Sequence, residues 1–170
     1  MSLLHLLQPD LRLDSVQELD TQALRRRGIR GLIFDLDSTL VPWGFSQFDP
    51  DMLQFLRDLK AEGLMLGFLS NRKGDGREAL RASFDGHPFL FRARKPLRSG
   101  FTRLLNAMEL SAPEVAVVGD QLFTDILGGK RLGFFTILVQ SFDPTREPYL
   151  IRARRWIEEL ILSWLARYPH

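Results

Sequence analysis

The feature that most constrains the fold of this chain is a regular alternation of short apolar runs with longer amphipathic stretches. Five runs have the length and the β-branched or aromatic content of strands, namely residues 31–34, 64–69, 88–91, 115–118 and 135–139. Their nearly continuous apolarity indicates strands buried on both faces, as in a parallel sheet covered by helices. Residues 51–62 and 101–108, which lie between such runs, carry apolar side chains at helical spacing. The alternation therefore predicts an α/β fold, built as a three-layer α/β/α sandwich.

The length of 170 residues fits one domain, 1–170, with its core over about residues 29–140. Residues 147–167 predict an amphipathic helix, because Pro148 suits a first turn and apolar side chains recur at helical spacing: Leu150, Ala153, Ile157, Leu160, Ile161 and Trp164. Two interpretations of this apolar face stay open. It packs on the sheet or on another subunit, or it rests with Trp156 and the neighbouring arginines on an anionic membrane surface, although two nearby glutamates weaken the electrostatic attraction. The oligomeric state stays open as well.

Composition and charge exclude several classes of protein. The chain has no cysteine, so it has neither a disulfide framework nor a thiolate metal site. A formal net charge of +2 gives no reason to expect a nucleic-acid partner. No apolar run approaches the roughly 20 residues of a membrane span, and the first residues do not resemble a signal peptide, so we expect a cytoplasmic protein. His5, His87 and His170 share no spacing typical of metal ligands.

The first candidate site follows the run 31–34. Asp35 and Asp37 stand at the end of this predicted strand, where α/β sheets bind their ligands, and side chains two positions apart point the same way. Two carboxylates so close repel each other unless a cation neutralises them, and Mg²⁺ prefers oxygen ligands of this kind. In the alternative interpretation, Asp37, Ser38 and Thr39 form only a polar turn that caps a helix.

A second acidic group follows the run 115–118. Asp120 comes directly after Gly119, which we expect to allow a tight backbone turn, and Asp125 follows a few residues later. A second strand end that delivers a carboxylate would complete a metal site with the first one. The glycine pair 128–129 is expected to end the intervening helical stretch.

Two further polar groups follow predicted strands. Ser70 and Asn71 end the run 64–69, and their hydroxyl and amide groups are able to donate hydrogen bonds to phosphate oxygens. Lys95, at the end of a basic cluster, is able to offset the charge of a phosphate and of nearby aspartates, and Arg72 is able to reach an anionic substrate. Taken singly, these residues also fit a helix cap and a solvated basic loop.

The order of these motifs resembles the haloacid dehalogenase (HAD) superfamily. Asp-x-Asp-x-Thr, strand-Ser-Asn, Lys-Pro and Gly-Asp-x4-Asp follow one another over about residues 31–139. Residues 94–96 and 119–129, with the approach at 6–10, resemble more closely the YqeG-type phosphatases of subfamily IIIA, which include relatives similar to mitochondrial phosphatidylglycerophosphate phosphatase. The resemblance implies a Rossmann-like HAD sheet in which the strands that end at Asp35 and Asp120 lie side by side.

The resemblance also implies a role for each candidate residue. Asp35 is the nucleophile, and Asp37 is the general acid and then the general base. Three residues are implied to hold the transferring phosphoryl group: Ser70, Asn71 and Lys95. Mg²⁺ is implied to lie among the Asp35 carboxylate, the Asp37 backbone carbonyl and Asp120, with Asp125 in support.

The function implied is that of a magnesium-dependent phosphomonoester hydrolase, a phosphatase that forms an aspartyl-phosphate intermediate. The same pocket would serve a phosphotransferase or phosphomutase if water were excluded, and a non-catalytic HAD-like scaffold is the third alternative. Asp37 favours a phosphatase over a dehalogenase, because the dehalogenases of the superfamily lack an acid at this position.

The gaps that carry cap domains in many HAD enzymes are short in this sequence. Residues 40–64 and 71–95 leave no room for an independent folded unit, which generally needs more than about 40 residues. We therefore expect no large cap and an open site, with Trp43 either at its rim or packed under the loop. An open site suits a large substrate, and the hypothesis that follows is a membrane-borne phosphomonoester such as phosphatidylglycerophosphate, met by a cytoplasmic protein that binds peripherally to the membrane.

Overall fold

A parallel sheet of six strands forms the middle layer of the protein, seen here in a computed structural model that describes residues 3–73 and 76–167. The strands are β1 (Leu11–Leu13), β2 (Gly31–Phe34), β3 (Met65–Leu69), β4 (Phe89–Leu90), β5 (Val115–Gly119) and β6 (Phe135–Val139). Their spatial order is β1-β6-β5-β2-β3-β4, with every neighbouring pair parallel. All five strands that the apolar runs predict are present, and the strands ending before Asp35 and Asp120 are neighbours as expected.

Helices cover both faces of the sheet in the described residues. They are α1 (Thr21–Arg26), α2 (Pro50–Ala61), α3 (Arg77–Ser83), α4 (Arg98–Ala107), α5 (Leu127–Lys130) and α6 (Tyr149–Arg167). Short 3₁₀ turns span Leu3–Leu7, Val16–Glu18, Ala112–Glu114 and Pro144–Arg146, and a π-helical turn spans Leu122–Ile126. Helix α2 begins where the Asp49 side chain accepts a hydrogen bond from the Met52 N–H at 2.7 Å, with Pro50 in the first turn.

Successive residues of β2 face opposite layers, as a strand buried on both sides requires. Leu32 and Phe34 pack in one apolar cluster with Leu56 of α2, whereas Ile33 packs in a second cluster with Phe101 of α4. The predicted three-layer α/β/α sandwich is therefore confirmed. The gaps expected to lack a cap domain, residues 40–64 and 71–95, contain only loops, α2, α3 and the two-residue strand β4 in the part that the structure describes.

Two glycine predictions are wrong in their physical reason. The pair Gly128–Gly129 does not end a helix but lies inside α5. Glycine is needed at position 128 because a Cβ there would stand 2.4 Å from a ring carbon of Phe101. Gly119 is the last residue of β5 and has no unusual backbone angle. Glycine is needed there because a Cβ would meet the Asp125 carboxylate carbon at 2.4 Å. At both positions glycine is needed because a neighbouring side chain leaves no space for a Cβ, and not because the backbone angles require glycine.

The predicted C-terminal helix exists as α6, but most of the apolar face expected from its sequence does not pack on the sheet, which was one of the surfaces left open for it. Leu150, Leu160 and Trp164 are exposed by 81%, 50% and 41%, while Leu162 and Leu165 are buried in a third apolar cluster with Leu7, Leu122, Ile126 and Leu138. The helix turns this way because Arg155 and Glu158, on the same side as Leu162 and Leu165, form buried polar contacts with the segment that follows β5. An apolar stripe is thereby left on the surface.

The histidines form no common site in the described chain. His5 is exposed, the ring of His87 stacks on Phe84 at a centroid distance of 4.5 Å, and His170 lies outside the described residues. Within the described ranges, no helix combines the length and the apolar character needed to cross a lipid bilayer.

Candidate active site

The carboxyl ends of β2 and β5 bring the two acidic motifs together. These strands are adjacent and in register, with Phe34 opposite Val118, and the Asp35 N–H donates to the Val118 carbonyl oxygen at 2.9 Å. Asp35 and Asp120 are therefore the first residues after two neighbouring strands. Both are buried, with 5% and 3% of their surfaces exposed.

Three buried carboxylates form a cluster at this edge of the sheet. Asp35, Asp120 and Asp125 each offer an oxygen within 4.8 Å of the others. Asp125 reaches the cluster from the π-helical turn, where its Oδ2 accepts the Gln121 N–H at 3.2 Å and lies against Gly119. Thr39 Oγ1 donates to Asp120 Oδ1 at 2.9 Å, which ties the loop after β2 to the end of β5.

Lys95 carries the positive charge inside this cluster. Its Nζ contacts Asp35 Oδ1 at 2.5 Å and Asp125 Oδ1 at 2.6 Å, and only 4% of its side chain is exposed. The pKa of Lys95 lies above its usual range, because the attraction of these two carboxylates outweighs the opposing effect of burial. Lys95 is therefore a permanent cation next to the predicted nucleophile.

Burial disfavours the charged forms of two of these carboxylates. Burial raises the pKa of Asp35 well above its ordinary value; Lys95 opposes the rise, and the other aspartates add to it. Burial likewise raises the pKa of Asp120, although Arg155 and Thr39 oppose it. Each carboxylate is thus held where its charged form is disfavoured in the absence of a further cation.

The charge balance of the cluster fits a divalent metal ion. Asp35, Asp120, Asp125 and the buried Glu147 supply four carboxylates, while Lys95 and Arg155 supply two cations. The remainder is an excess of two negative charges in a buried site whose donors are all oxygen, the ligand set that Mg²⁺ prefers.

The carboxylate of Asp37 faces away from this cluster. It accepts a hydrogen bond from Ser70 Oγ at 3.1 Å and forms a buried ion pair with the guanidinium of Arg72. The side chain of Asp37 therefore lies beside the cluster of Asp35, Asp120 and Asp125 rather than in it.

The two residues expected to hold phosphate from the end of β3 have internal partners. Ser70 is fully buried, donates to Asp37, and accepts the Arg72 N–H at 3.0 Å. Asn71 binds the backbone of Lys95 in both directions: its Oδ1 accepts from Lys95 N at 2.7 Å and its Nδ2 donates to Lys95 O at 3.2 Å. Both residues thus hold neighbouring site residues in place.

A cavity of about 440 Å³ opens over Asp35 and Asp37. Asn71, Arg72 and Lys95 line one part of it, and Trp43 stands at its wall, which settles the alternative left open for this tryptophan. Ile151 and Arg154 of α6 also line the cavity. The C-terminal helix thus borders the site.

The structure brings together the six residues that the sequence analysis assigned to one site: Asp35, Asp37, Ser70, Asn71, Lys95 and Asp120. The sequence analysis missed Arg155. This residue contacts Asp120 from α6, and Glu147 behind it is fully buried. No sequence motif indicates a role for Arg155 or Glu147. The only available signal was the interruption of a largely apolar helix by charges at positions 155 and 158, one turn apart.

Comparison with known proteins agrees with this geometry. A family model described as HAD-hydrolase-like matches residues 92–152. The probable phosphatase YqeG of Bacillus subtilis is 35% identical over 95% of this chain and 93% of its own length.

The chain belongs to the YqeG-like HAD phosphatases.

The chloroplastic phosphatidylglycerophosphate phosphatase 1 of Chlamydomonas reinhardtii is 34% identical over 99% of this chain, which spans 62% of that longer protein. The magnesium-bound HAD hydrolase YfnB of Bacillus subtilis superposes with a TM-score of 0.55 at 13% identity, over 74% of this chain and 99% of that one, and shows the shared HAD fold. This YqeG-like protein is therefore an enzyme of the phosphatase class.

The raised pKa values of Asp35 and Asp120 predict how the binding of a divalent cation at this cluster would depend on pH. A carboxyl group whose folded pKa exceeds the unfolded value of 3.8 binds protons more tightly when folded, so the metal-free protein loses stability as pH rises through the folded pKa. At higher pH the ionised carboxylates gain most from a divalent cation. We expect the increase in Tm caused by 5 mM Mg²⁺ over EDTA to be larger at about pH 7.5 than at about pH 5.

Thermal unfolding at several pH values, each with Mg²⁺ and with EDTA, measures this difference. Groups whose pKa is lowered, such as Asp10 and Asp143, contribute stability that is lost as pH falls. They act equally in both solutions and cancel from the comparison. An increase in Tm that is the same at every pH would contradict the prediction.

Proposed function

We propose that this chain is a magnesium-dependent phosphomonoester hydrolase, acting as a single HAD-like domain through an aspartyl-phosphate on Asp35. The observation that carries the proposal is the placement of Asp35 at the floor of an open cavity, bound to Lys95 and flanked by Asp37, Asp120 and Asp125. A nucleophile, an acid–base group and a cation-binding cluster thus meet at one strand edge.

In the proposed reaction, a carboxylate oxygen of Asp35 attacks phosphorus, and the bond from phosphorus to the leaving oxygen breaks. Asp37 enters this step in its protonated form, gives its proton to that oxygen as the alcohol departs, and is left as a carboxylate that pairs with Arg72. Asp37 then takes a proton from water, whose oxygen attacks the phosphorus of the aspartyl-phosphate. The bond between phosphorus and Asp35 breaks, inorganic phosphate leaves, and both aspartates return to their starting states.

Lys95 and Arg72 support these steps electrostatically. Lys95 opposes the rise in the pKa of the buried Asp35, which favours the ionised nucleophile, and it faces the incoming phosphoryl group, while Arg72 orients Asp37 beside it. Asp35, Asp120 and the backbone carbonyl of Asp37 would hold Mg²⁺, with Asp125 in support. When bound, Mg²⁺ offsets the repulsion between the anionic nucleophile and the anionic substrate.

A phosphatase assay with an aryl phosphate tests the reaction class. We expect release of inorganic phosphate with Mg²⁺ and none above background with EDTA. Transfer of phosphate to an added alcohol, with little free phosphate, would favour a phosphotransferase. Absence of both products would favour the scaffold alternative.

We further propose that the physiological substrate is a membrane-borne phosphomonoester such as phosphatidylglycerophosphate, met by a cytoplasmic protein bound peripherally. Two observations on α6 support this: its exposed stripe includes Trp156, Leu160 and Trp164, and the same helix contributes Ile151 and Arg154 to the wall of the cavity. An apolar surface beside the mouth of the site would place lipid headgroups within reach of Asp35. The Chlamydomonas relative bears the name of such an activity.

The membrane proposal predicts the behaviour of a variant of α6. Trp156→Ser/Leu160→Ser removes two exposed apolar side chains, each of which contributes about 1.5–3 kcal/mol when buried. We expect the apparent affinity for anionic liposomes to fall about ten-fold or more in co-sedimentation, and hydrolysis of liposomal phosphatidylglycerophosphate to fall with it. Turnover of a soluble aryl phosphate should not change.

Met65→Ser is the matched control for that variant. Met65 is exposed by 42%, but it begins β3 and so lies at the opposite edge of the sheet from the site. Its replacement should leave liposome binding unchanged. The lipid proposal fails if wild-type protein ignores anionic liposomes and leaves this lipid intact while cleaving a soluble ester well.

A further inference from the structure

Arg155 links the C-terminal helix to the metal-type cluster. Its Nη1 donates to the main-chain oxygen of Asp120 at 2.9 Å, and its Nη2 donates to Asp120 Oδ2 at 2.5 Å. The remaining oxygen of the same carboxylate, Oδ1, accepts from Thr39. Asp120 is thus fixed at its backbone and at both carboxylate oxygens, and in the described residues Arg155 is the only cation shown in contact with it.

The guanidinium of Arg155 is itself held from behind. Glu147, whose side chain is fully buried, accepts from Arg155 Nε at 2.9 Å and from Nη2 at 2.5 Å, and Ser141 Oγ donates to Glu147 Oε1 at 2.6 Å. The pKa of Glu147 lies below its ordinary value because the hydrogen bonds from Arg155 and Ser141 outweigh the effect of burial. Four side chains therefore form a continuous row, Ser141–Glu147–Arg155–Asp120.

Helix α6 also contacts the middle of the segment 120–125, which carries both Asp120 and Asp125. Glu158, one turn after Arg155, is buried and accepts the Phe123 N–H at 3.1 Å. Phe123 belongs to the π-helical turn that positions Asp125. Helix α6 therefore holds the segment from Asp120 to Asp125 at two points.

We propose that Arg155 is a positioning residue that holds Asp120 in the orientation needed to bind Mg²⁺, so that the docking of α6 completes the metal site. The proposal rests on the magnesium site proposed above. Groups that orient a metal ligand typically change metal affinity or activity by about 10- to 100-fold when they are replaced.

Charge and position predict opposite effects of removing Arg155, which makes the proposal testable. Loss of a cation near the cluster should tighten the binding of Mg²⁺ by Coulomb attraction, whereas loss of orientation at Asp120 should weaken it. The double variant Glu147→Gln/Arg155→Gln removes one charge of each sign. It leaves the net charge of the cluster unchanged, and neither Glu147 nor Arg155 remains as a buried charge without the other, so the change that remains is the loss of the contacts that orient Asp120.

Isothermal titration of the whole protein with MgCl₂ measures the effect without any substrate. We expect the double variant to bind Mg²⁺ about 10- to 100-fold more weakly than wild type. Arg155→Lys, which keeps the charge but cannot donate in two directions from one planar group, should weaken binding in the same direction and serves if the double variant does not fold. Arg152→Gln, an exposed arginine of the same helix, is the control and should bind as wild type does.

The outcomes separate the two proposals. If wild type binds no Mg²⁺, the magnesium site and this inference fail together. If wild type binds Mg²⁺ and the folded double variant or Arg155→Lys binds it equally well or more tightly, the phosphatase proposal stands and the positioning role of Arg155 is wrong. A lower Tm with unchanged Mg²⁺ affinity would show a purely structural contact and would also overturn the role.

Discussion

Asp35→Asn is expected to lower phosphatase turnover by about 10⁴-fold or more, the scale of loss when a nucleophile is removed from an enzyme that depends on it. An amide does not form the acyl phosphate, and the substitution also removes one of the three carboxylates proposed to neutralise a metal ion. Turnover of an aryl phosphate under saturating Mg²⁺ measures the effect.

The fold should survive this substitution. Asparagine has nearly the shape of aspartate, and the raised pKa of Asp35 shows that its charge is disfavoured in the metal-free protein. Lys95 keeps Asp125 as a partner at 2.6 Å. We therefore expect the Tm in EDTA to stay at the wild-type value or to rise, so that loss of turnover does not result from unfolding.

Asp37→Asn provides the contrast that identifies the nucleophile. Loss of an acid–base group typically slows a reaction by about 10²- to 10⁴-fold, and the second step loses its base as well. We expect this variant to accumulate phosphoenzyme, detectable by acid quench with a ³²P-labelled substrate, whereas Asp35→Asn should form none. Near wild-type turnover of a clean Asp35→Asn preparation would show that the covalent mechanism is wrong.

The sequence predicted the parts of the fold that depend on local apolar pattern. Strands β2, β3, β5 and β6 have four or five residues each and are almost wholly apolar, so their positions follow from the pattern, and the acids that follow β2 and β5 meet because parallel strands end at one edge. Strand β1, Leu11–Leu13, escaped prediction because the exposed Arg12 interrupts its apolar residues, and it becomes a strand by pairing with β6.

What the sequence could not predict depends on contacts between distant segments. The apolar stripe of α6 left open whether that face packs on the sheet, on another subunit or on a membrane. The partly buried Arg155 and the buried Glu158 decide the orientation of the helix, because a buried charge without its partners would be more costly than an exposed leucine. Their partners, Asp120 and Phe123, lie 35 residues away in sequence. A pattern of hydrophobicity within one helix carries no information about such partners.

In the active site, too, the sequence predicted which residues come together but not which contacts they make. Motif order placed Asn71 and Lys95 together, but the structure shows that the Asn71 amide binds the Lys95 backbone, so its role includes fixing the loop that presents the lysine. The sequence analysis named Arg72, the partner of Asp37, only as a residue able to reach an anionic substrate. The ion pair of Arg72 with Asp37 appears only once the end of β3 is placed beside the loop after β2.

Lys95→Met is expected to damage stability and turnover together, in contrast to Asp35→Asn. Methionine fills a similar volume but leaves Asp35 and Asp125 buried without the cation that contacts both. Breaking a buried ion pair by removing one partner costs about 3–5 kcal/mol of unfolding free energy. Loss of one electrostatic contact to the reacting group typically lowers kcat by about 10²- to 10³-fold.

Lys130→Met is the matched control for this prediction. Lys130 Nζ lies 2.6 Å from Asp10 Oδ1, the same distance as in the Lys95–Asp125 pair, but the two side chains are 14% and 30% exposed and lie outside the cavity over Asp35. Solvent screens this pair, so we expect a smaller loss, about 1 kcal/mol or less, and unchanged turnover. Urea unfolding and aryl phosphate turnover of both variants, measured side by side with and without Mg²⁺, give the comparison.

Adding Mg²⁺ to Lys95→Met should distinguish the two roles of Lys95, which are to stabilise the buried aspartates and to contact the phosphoryl group. With the lysine gone, the cluster carries one more uncompensated negative charge, so Mg²⁺ should raise the stability of Lys95→Met more than it raises that of wild type. Turnover should nevertheless stay low at saturating Mg²⁺, because the ammonium that faces the incoming phosphoryl group is missing. If saturating Mg²⁺ restored turnover fully, Lys95 would serve only to balance the charge of the aspartates, and its assignment to the phosphoryl group would be wrong.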